Sequence, residues 1–276
     1  MATSKSFNDL LNDAINDMVE HGFDSVERAA YWQAQLSAAA EREFRSQDEL
    51  DRIIREAMAA VYRRLIERGV ILKDHPGVER FTIDMVRPAA RAELDKRILA
   101  AADLIKLNRE EMRRLTLRRF AGWATSIPPG GVSEKDKRKT SQHIKQPMQS
   151  APFEERRVLI DQGHKLRNSV STVIAMDGQA LAGIWRSHWR QAGYNYRPDH
   201  KDRDLLVYAV PNNWAIQAGL MKKGPNPYFD QITAPAQEPF CRCYWTWIYN
   251  LDALPVDMLT ALGVKRLAEA TALLNA

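Results

Sequence analysis

Apolar side chains in the first half of the chain recur at helical spacing. Phe7, Leu10, Leu11, Ala14, Ile15, Met18 and Val19 make one stripe, with Ser6 placed as its cap and Gly22 as its stop. A second stripe follows Asp24 through Val26, Ala30, Leu36 and Ala40, with Glu27 where a capping-box partner stands. Ser46 and Glu49 repeat that box before Ile53, Ile54, Ala57, Met58, Val61, Tyr62 and Leu65, a stripe that ends at Gly69. The next segment, ILKDHPGVERFTI, reads as extended. Pro88 then suits a first helical turn, and no Gly or Pro follows before Gly122, which predicts a single helix of roughly 50 Å at about 1.5 Å per residue.

The pattern changes at residue 125. TSIPPGGVSEKDKRKTSQHIKQPMQS has almost no large apolar side chain and predicts a basic, flexible linker over 125–151. Helical spacing resumes at Pro152 through Phe153, Val158, Leu159, Leu166, Val170, Val173 and Ile174. It is expected to break near Gly178 and continue through Leu181, Ile184, Trp185 and Trp189. Short β-like runs, LLVYAV and CYWTWIYN, follow between turn-rich segments. Five of the seven tryptophans lie between 185 and 247, so the aromatic bulk that holds irregular segments together is concentrated here. Pro255 is expected to open a last amphipathic helix. The expected class is α+β and mostly helical: a long-helix N-terminal domain over 1–124, the linker, a small α+β module over 152–254 and a C-terminal helix over 255–276.

Composition narrows the picture. Hydrophobic residues make 45% and charged residues 27% of 276, which fits a folded globular chain. No apolar run reaches the ~18 residues of a membrane span, and the N-terminus lacks the pattern of an export signal, so no membrane partner and synthesis in the cytoplasm are expected. Cys241 and Cys243, the only cysteines, are too few and too close for a disulfide framework. The formal charge of +5 permits polyanion contact without requiring it.

No phosphate-binding loop, dinucleotide fingerprint, nucleophile elbow or H-E-x-x-H occurs, which argues against an enzyme and leaves no catalytic residue to nominate. Four features can carry something else. Cys241-Arg242-Cys243 on an extended backbone puts both sulfurs on one face, where a zinc ion can use them with ligands drawn from Asp199, His200 and His188; alternatively, the pair is two reduced thiols buried under aromatics. The polar strip from Tyr196 to Asp204 offers His200 as a base beside Asp199 or Asp204, or a set of groups that simply satisfies backbone in an irregular loop. Lys135, Lys137, Arg138 and Lys139, with Lys145 beyond, can neutralise phosphates or form a solvated linker. The apolar stripes can pack within the chain or against other subunits.

The helix up to Trp189, then Asn195-Tyr196-Arg197-Pro198-Asp199-His200 with Asp204, and Glu238-Pro239-Phe240-Cys241-Arg242-Cys243 some forty residues on, together resemble the phage Mu F-like minor head proteins, also called phage head morphogenesis proteins. The resemblance spans about residues 155–250. Glu-Pro-Phe stands here where His-Pro-Asn is common in that family, and Leu205-Leu206 where a Gly is expected. The resemblance implies a non-enzymatic minor structural protein of a tailed phage, made in the bacterial host cytoplasm and built into the virion, inside the capsid or at the portal vertex. It further implies contacts with the portal or major capsid protein and non-specific contact with packaged double-stranded DNA. Arg197, Pro198, His200, Asp204, Cys241, Arg242 and Cys243 would form the structural motif, Arg242 pairing with Asp199 or Asp204; a structural zinc would use Asp199, His200, Cys241 and Cys243. The alternative is a phage-derived nuclease or toxin-like enzyme working through the Arg197/His200 and Cys241/Cys243 region.

Overall fold

The structure, a computed structural model, describes residues 5–132 and 137–274; Lys135 of the basic run lies outside them. The chain is mostly helical with one three-stranded antiparallel sheet, so it is an α+β protein with a helical N-terminal half. It divides into two compact units, each discontinuous in sequence: Met1–Ile54 with Ala101–Val158, and Arg55–Ala100 with Leu159–Ala276. This division departs from the expected boundaries at 124 and 152. The 38-residue helix α5, Arg87–Ala124, is long enough to bury Ala90 and Leu94 at one end and Phe120 and Ala124 at the other.

In the first unit, α1 (Phe7–His21) is capped by Ser6, whose hydroxyl accepts the Asp9 N–H, and stops at Gly22. α2 (Val26–Glu43) is capped by Ser25 rather than Asp24; the Asp24 carboxylate pairs with Arg28 at 2.8 Å instead. α3 (Gln47–Tyr62) opens behind Ser46, which accepts the Glu49 N–H at 3.3 Å. Phe7, Leu11, Ile15 and Met18 of α1 pack with Leu36 and Ala40 of α2, Phe120 and Ala124 of α5, and Ile127. At the end of α1 a Cβ on Gly22 would lie 2.0 Å from the Pro128 carbonyl oxygen, so only glycine permits the loop to cross there.

The expected flexible linker is largely a helix. α6 (Lys137–Gln149) buries Ser141, Ile144 and Pro147, with Ile144 in the α1–α2 core. Its sequence hides this because the inward face is small and one member is proline. Pro147 has no N–H to offer the His143 carbonyl one turn back, and Arg119 of α5 donates to that oxygen at 2.7 Å in its place. A polar seam joins α6 to α1. Lys137, Ser141 and Lys145 reach Asn16, Asn12 and Asn8 at 2.9, 3.3 and 3.3 Å, two rows of i, i+4 positions running in opposite directions. Two of the lysines expected in a mobile basic arm thus hold helices together; Arg138 is exposed, and Lys139 makes contacts within the chain.

In the second unit the expected extended segment is instead a 3₁₀ turn, Val70–Asp74, followed by α4, Arg80–Met85. α7 (Ala151–Asp177) ends before Gly178, and the helix expected beyond it is strand β1, Ala182–Arg186. A short apolar run fits either element by period, and pairing on both edges decides it. β1 is central, flanked by β2 (Val207–Ala209) and β3 (Tyr244–Ile248), with Gly183 opposite Tyr208 and Trp247. Gly183 leaves room for indoles to lie across the strand: a Cβ there would meet the Trp245 ring at 3.0 Å. Trp185, Trp245, Trp247, Tyr208, Cys241 and Cys243 form the aromatic core on that side. The one-turn helices α8 (Pro198–Asp202) and α9 (Trp214–Gln217) lie in the connections between strands. The last helix, α10, begins at Ala261 and not at Pro255, because Val256–Met258 is a 3₁₀ turn and Thr260 caps the helix from its hydroxyl.

A second polar centre is buried in this unit. His75 bonds through Nδ1 to the Tyr249 hydroxyl at 2.6 Å and through Nε2 to Ser171 Oγ at 3.1 Å, and the Trp247 indole N–H donates to that same oxygen at 2.9 Å. Next to it Asp74 receives a two-pronged bond from Arg167 at 2.7 and 3.0 Å.

Candidate metal centre

Arg197 is extended and Pro198 fills the first position of α8, where its missing N–H costs nothing; this single turn carries His200 inward, 2% exposed. Beyond it, Leu205 adopts a left-handed backbone at φ 71°, which lets Leu205 and Leu206 clasp Trp185 of β1 before β2 begins. The cysteines arrive on the segment entering β3. Their alternation is as the spacing predicts: Cys241 and Cys243 are buried and Arg242 between them is not. Phe240 and Ala236, both at φ 60°, turn the chain into that segment.

The two strips meet. His200 Nδ1 lies 3.5 Å from Cys241 Sγ and 3.6 Å from Cys243 Sγ, and the three candidate ligand atoms fall within 4.8 Å of one another. Trp185 stands edge-on to the imidazole at 5.2 Å, the Ala236 N–H donates to Cys241 Sγ at 3.3 Å, and Ser187 Oγ is 3.8 Å from Cys243 Sγ. This His/Cys/Cys cluster can hold a metal ion. The donor set fits a soft or borderline cation: two sulfurs and one imidazole nitrogen suit zinc and do not suit magnesium or calcium, which take oxygen.

The electrostatics single out one of the three groups as ready for that use, while the other two would have to release a proton to a metal. A hydrogen bond from the Cys243 thiol lowers the pKa of Cys241 most, and His200 and the backbone lower it further; Cys243, as donor and neighbour of a thiolate, is raised. The hydrogen bond to Cys241 in turn raises His200 against the opposing effect of burial. One sulfur is therefore already disposed to be the thiolate a metal requires.

The other nominated residues divide sharply. Asp199 faces the opposite ring nitrogen, 3.8 Å from His200 Nε2, and is paired with Arg203 at 3.2 Å, so it does not join the sulfur side. His188 stands against the Tyr244 ring at 5.8 Å and is outside the cluster. Arg242 pairs with neither Asp199 nor Asp204: its guanidinium lies over the Tyr194 ring at 5.1 Å and reaches Gln191. Asp204 instead fastens the turn after β1, accepting from the Ser187 N–H, the Trp189 indole and Arg190 at 2.9, 2.9 and 3.0 Å. Burial alone would raise its carboxyl, but those three donors leave it below the usual carboxylate value.

Sequence reasoning missed Glu238. Its Oε2 is 2.9 Å from His200 Nε2 and 3.0 Å from Arg197 Nε, and Arg197 also donates to the Pro239 carbonyl at 3.1 Å. An acidic residue three before the first cysteine was the available signal. Comparisons with models of protein families, with curated proteins and with solved structures find no match for this chain.

Proposed function

We propose that this chain is a minor structural component of a tailed-phage head, and that a zinc ion held by His200, Cys241 and Cys243 braces its C-terminal module. The observation that carries the reading is the meeting of the Arg-Pro-Asp-His strip with the Cys-Arg-Cys strip, some forty residues apart, at a buried three-donor cluster. Those two strips are the elements on which the family resemblance rests. When bound, zinc would supply a cross-link between the α8 turn and the approach to β3, in a module whose irregular segments have little regular structure to hold them. Arg197 and Asp204 fix the two ends of the strip, and the aromatic core excludes water from the sulfurs. The partners fitting this reading are the portal or major capsid protein, with packaged DNA as a non-specific contact and the virion as location.

The test is mass spectrometry of purified virions and procapsids from the phage that encodes the chain, with and without its portal protein. A few copies per particle, lost when the portal is absent, is the expected result; complete infectious particles lacking the chain would overturn the proposal. A second reading is favoured by one fact: the cluster offers three protein ligands, and a tetrahedral zinc with a free fourth position is the form hydrolases use. Cleavage of DNA or RNA by purified protein with zinc, abolished in His200→Ala, would replace the structural reading with that one.

A further inference from the structure

Resting on the metal reading above, we infer that Glu238 is the positioning residue of the centre: its carboxylate fixes the proton of His200 on Nε2 and so keeps the Nδ1 lone pair turned to the sulfurs. His200 Nε2 and Glu238 Oε2 are both shielded from solvent, and neither has an aligned hydrogen-bond partner among the described residues. They nevertheless lie 2.9 Å apart. For the buried His200 Nε2 that carboxylate oxygen is the polar atom within reach, and leaving the nitrogen unpaired is costly.

The arrangement has a direction. An imidazole that ligates through one nitrogen must carry its proton on the other, and a carboxylate or carbonyl on that side sets both tautomer and ring angle. Here the sulfurs occupy the Nδ1 side, and Glu238 stands closest on the Nε2 side. Glu238 is itself held: Arg197 contacts its Oε2 at 3.0 Å and the next carbonyl, that of Pro239, at 3.1 Å. Arg197, Glu238 and His200 therefore form a chain of support leading from the surface to the cluster. Asp199, the other carboxylate near the ring, is farther at 3.8 Å and is taken by Arg203, so it serves as an internal control. This account also gives the Glu-Pro-Phe sequence before the cysteines a purpose: the residue at its head orients the ligand and does not itself ligate.

The experiment uses the full chain and measures zinc affinity by competition with a chromogenic chelator. Glu238→Ala is expected to bind about tenfold to a hundredfold more weakly than wild type, as loss of such an outer partner does. Glu238→Gln, which keeps an accepting oxygen without the charge, should fall between, and Asp199→Asn should stay within about twofold of wild type. Cobalt(II) loaded in place of zinc should show unchanged sulfur-to-metal charge-transfer bands in all three variants, since both thiolates remain. In the zinc-loaded protein the His200 Hε2 proton should be slow to exchange in wild type and fast in Glu238→Ala, a readout that general loosening of the fold would not move alone. If Glu238→Ala misfolds, Glu238→Gln decides on the same measurements. Wild-type affinity and slow Hε2 exchange in the Glu238 variants would overturn the inference while leaving the metal centre standing; absence of zinc uptake by the wild type would bring down the metal reading itself.

Discussion

Two histidines are buried in the same compact unit, and they behave in opposite ways. His75 is surrounded by a phenol, a serine hydroxyl and an indole that bonds the serine, with Arg167 nearby. Burial and, to a lesser degree, that guanidinium push its pKa down to about 3, so it stays neutral. His200 faces two thiols and a carboxylate, and its pKa rises. Burial is nearly equal for the two rings, at 1% and 2% exposure, so burial does not make a site. The partners do: neutral hydroxyls make a fastening, whereas ionisable sulfur makes a place for a cation. The backbone differs in the same sense. The His75 arm leaves α3 through Gly69, for which a φ of 65° is unstrained, while the arms of the His/Cys/Cys cluster turn through Leu205, Ala236 and Phe240 at φ 71°, 60° and 60°.

The contrast can be broken most forcefully at the metal centre. On the proposed zinc reading, chelating the metal from wild-type protein should cost about 4 kcal/mol of unfolding free energy relative to protein held at free zinc a thousandfold above its dissociation constant. Urea denaturation of Cys243→Ser should be indifferent to the chelator. Equal midpoints for wild type with chelator and with zinc would remove the distinction between the two histidines.

The next effect belongs to His75. Its folded pKa lies below its unfolded value near 6.5, so the unfolded chain takes up the extra proton; stability is full above about pH 6.5 and is lost as pH falls toward about 3. Between pH 6.5 and 5 the loss should be about 1.6 kcal/mol, the slope rising toward about 1.4 kcal/mol per pH unit. Asp74 next to it is raised by burial, which gives a slope of opposite sign just above its unfolded value, so wild type must be compared with His75→Phe, where the histidine slope disappears and the Asp74 slope remains. That variant should also leave zinc uptake unchanged. Parallel pH profiles for the two proteins would show that His75 does not titrate on unfolding.

The smallest effect sharpens the backbone contrast. Leu205 is half exposed and left-handed, a backbone that glycine adopts freely. Leu205→Gly should raise stability by about 0.5–1 kcal/mol, the left-handed penalty outweighing the entropy glycine adds to the unfolded chain. A lowered thermal midpoint would mean that the leucine side chain contributes more than its backbone costs.

Much of the helical frame was legible in the sequence because its signals are local. Ser6 and Ser46 cap as their spacing says, and α5 runs unbroken through the Gly- and Pro-free stretch between Pro88 and Gly122. α6 was illegible because its inward face pairs lysine and serine with asparagines more than a hundred residues away, and because the carbonyl its internal proline leaves free is taken by the distant Arg119. β1 was misread because five residues carry too little period to separate strand from helix. At the centre, Cys241 and Cys243 could be paired from their spacing, and His200 was one of three candidates beside them, with Asp199 and His188. Glu238 could not be named, since which side of a buried ring a carboxylate approaches depends on how the chain turns through Ala236 and Phe240, and Asp199 looked closer only because it is next in sequence.

The interleaving of the two compact units has a consequence for synthesis. Ile144 and Phe120 complete the core that Phe7, Leu11, Ile15 and Met18 begin. A ribosome adding about 5–20 residues per second needs on the order of ten seconds to travel from the end of α2 to Ile144. Throughout that interval the nascent chain carries an unfinished apolar surface, which is where a chaperone would engage it and where crowded translation would aggregate it.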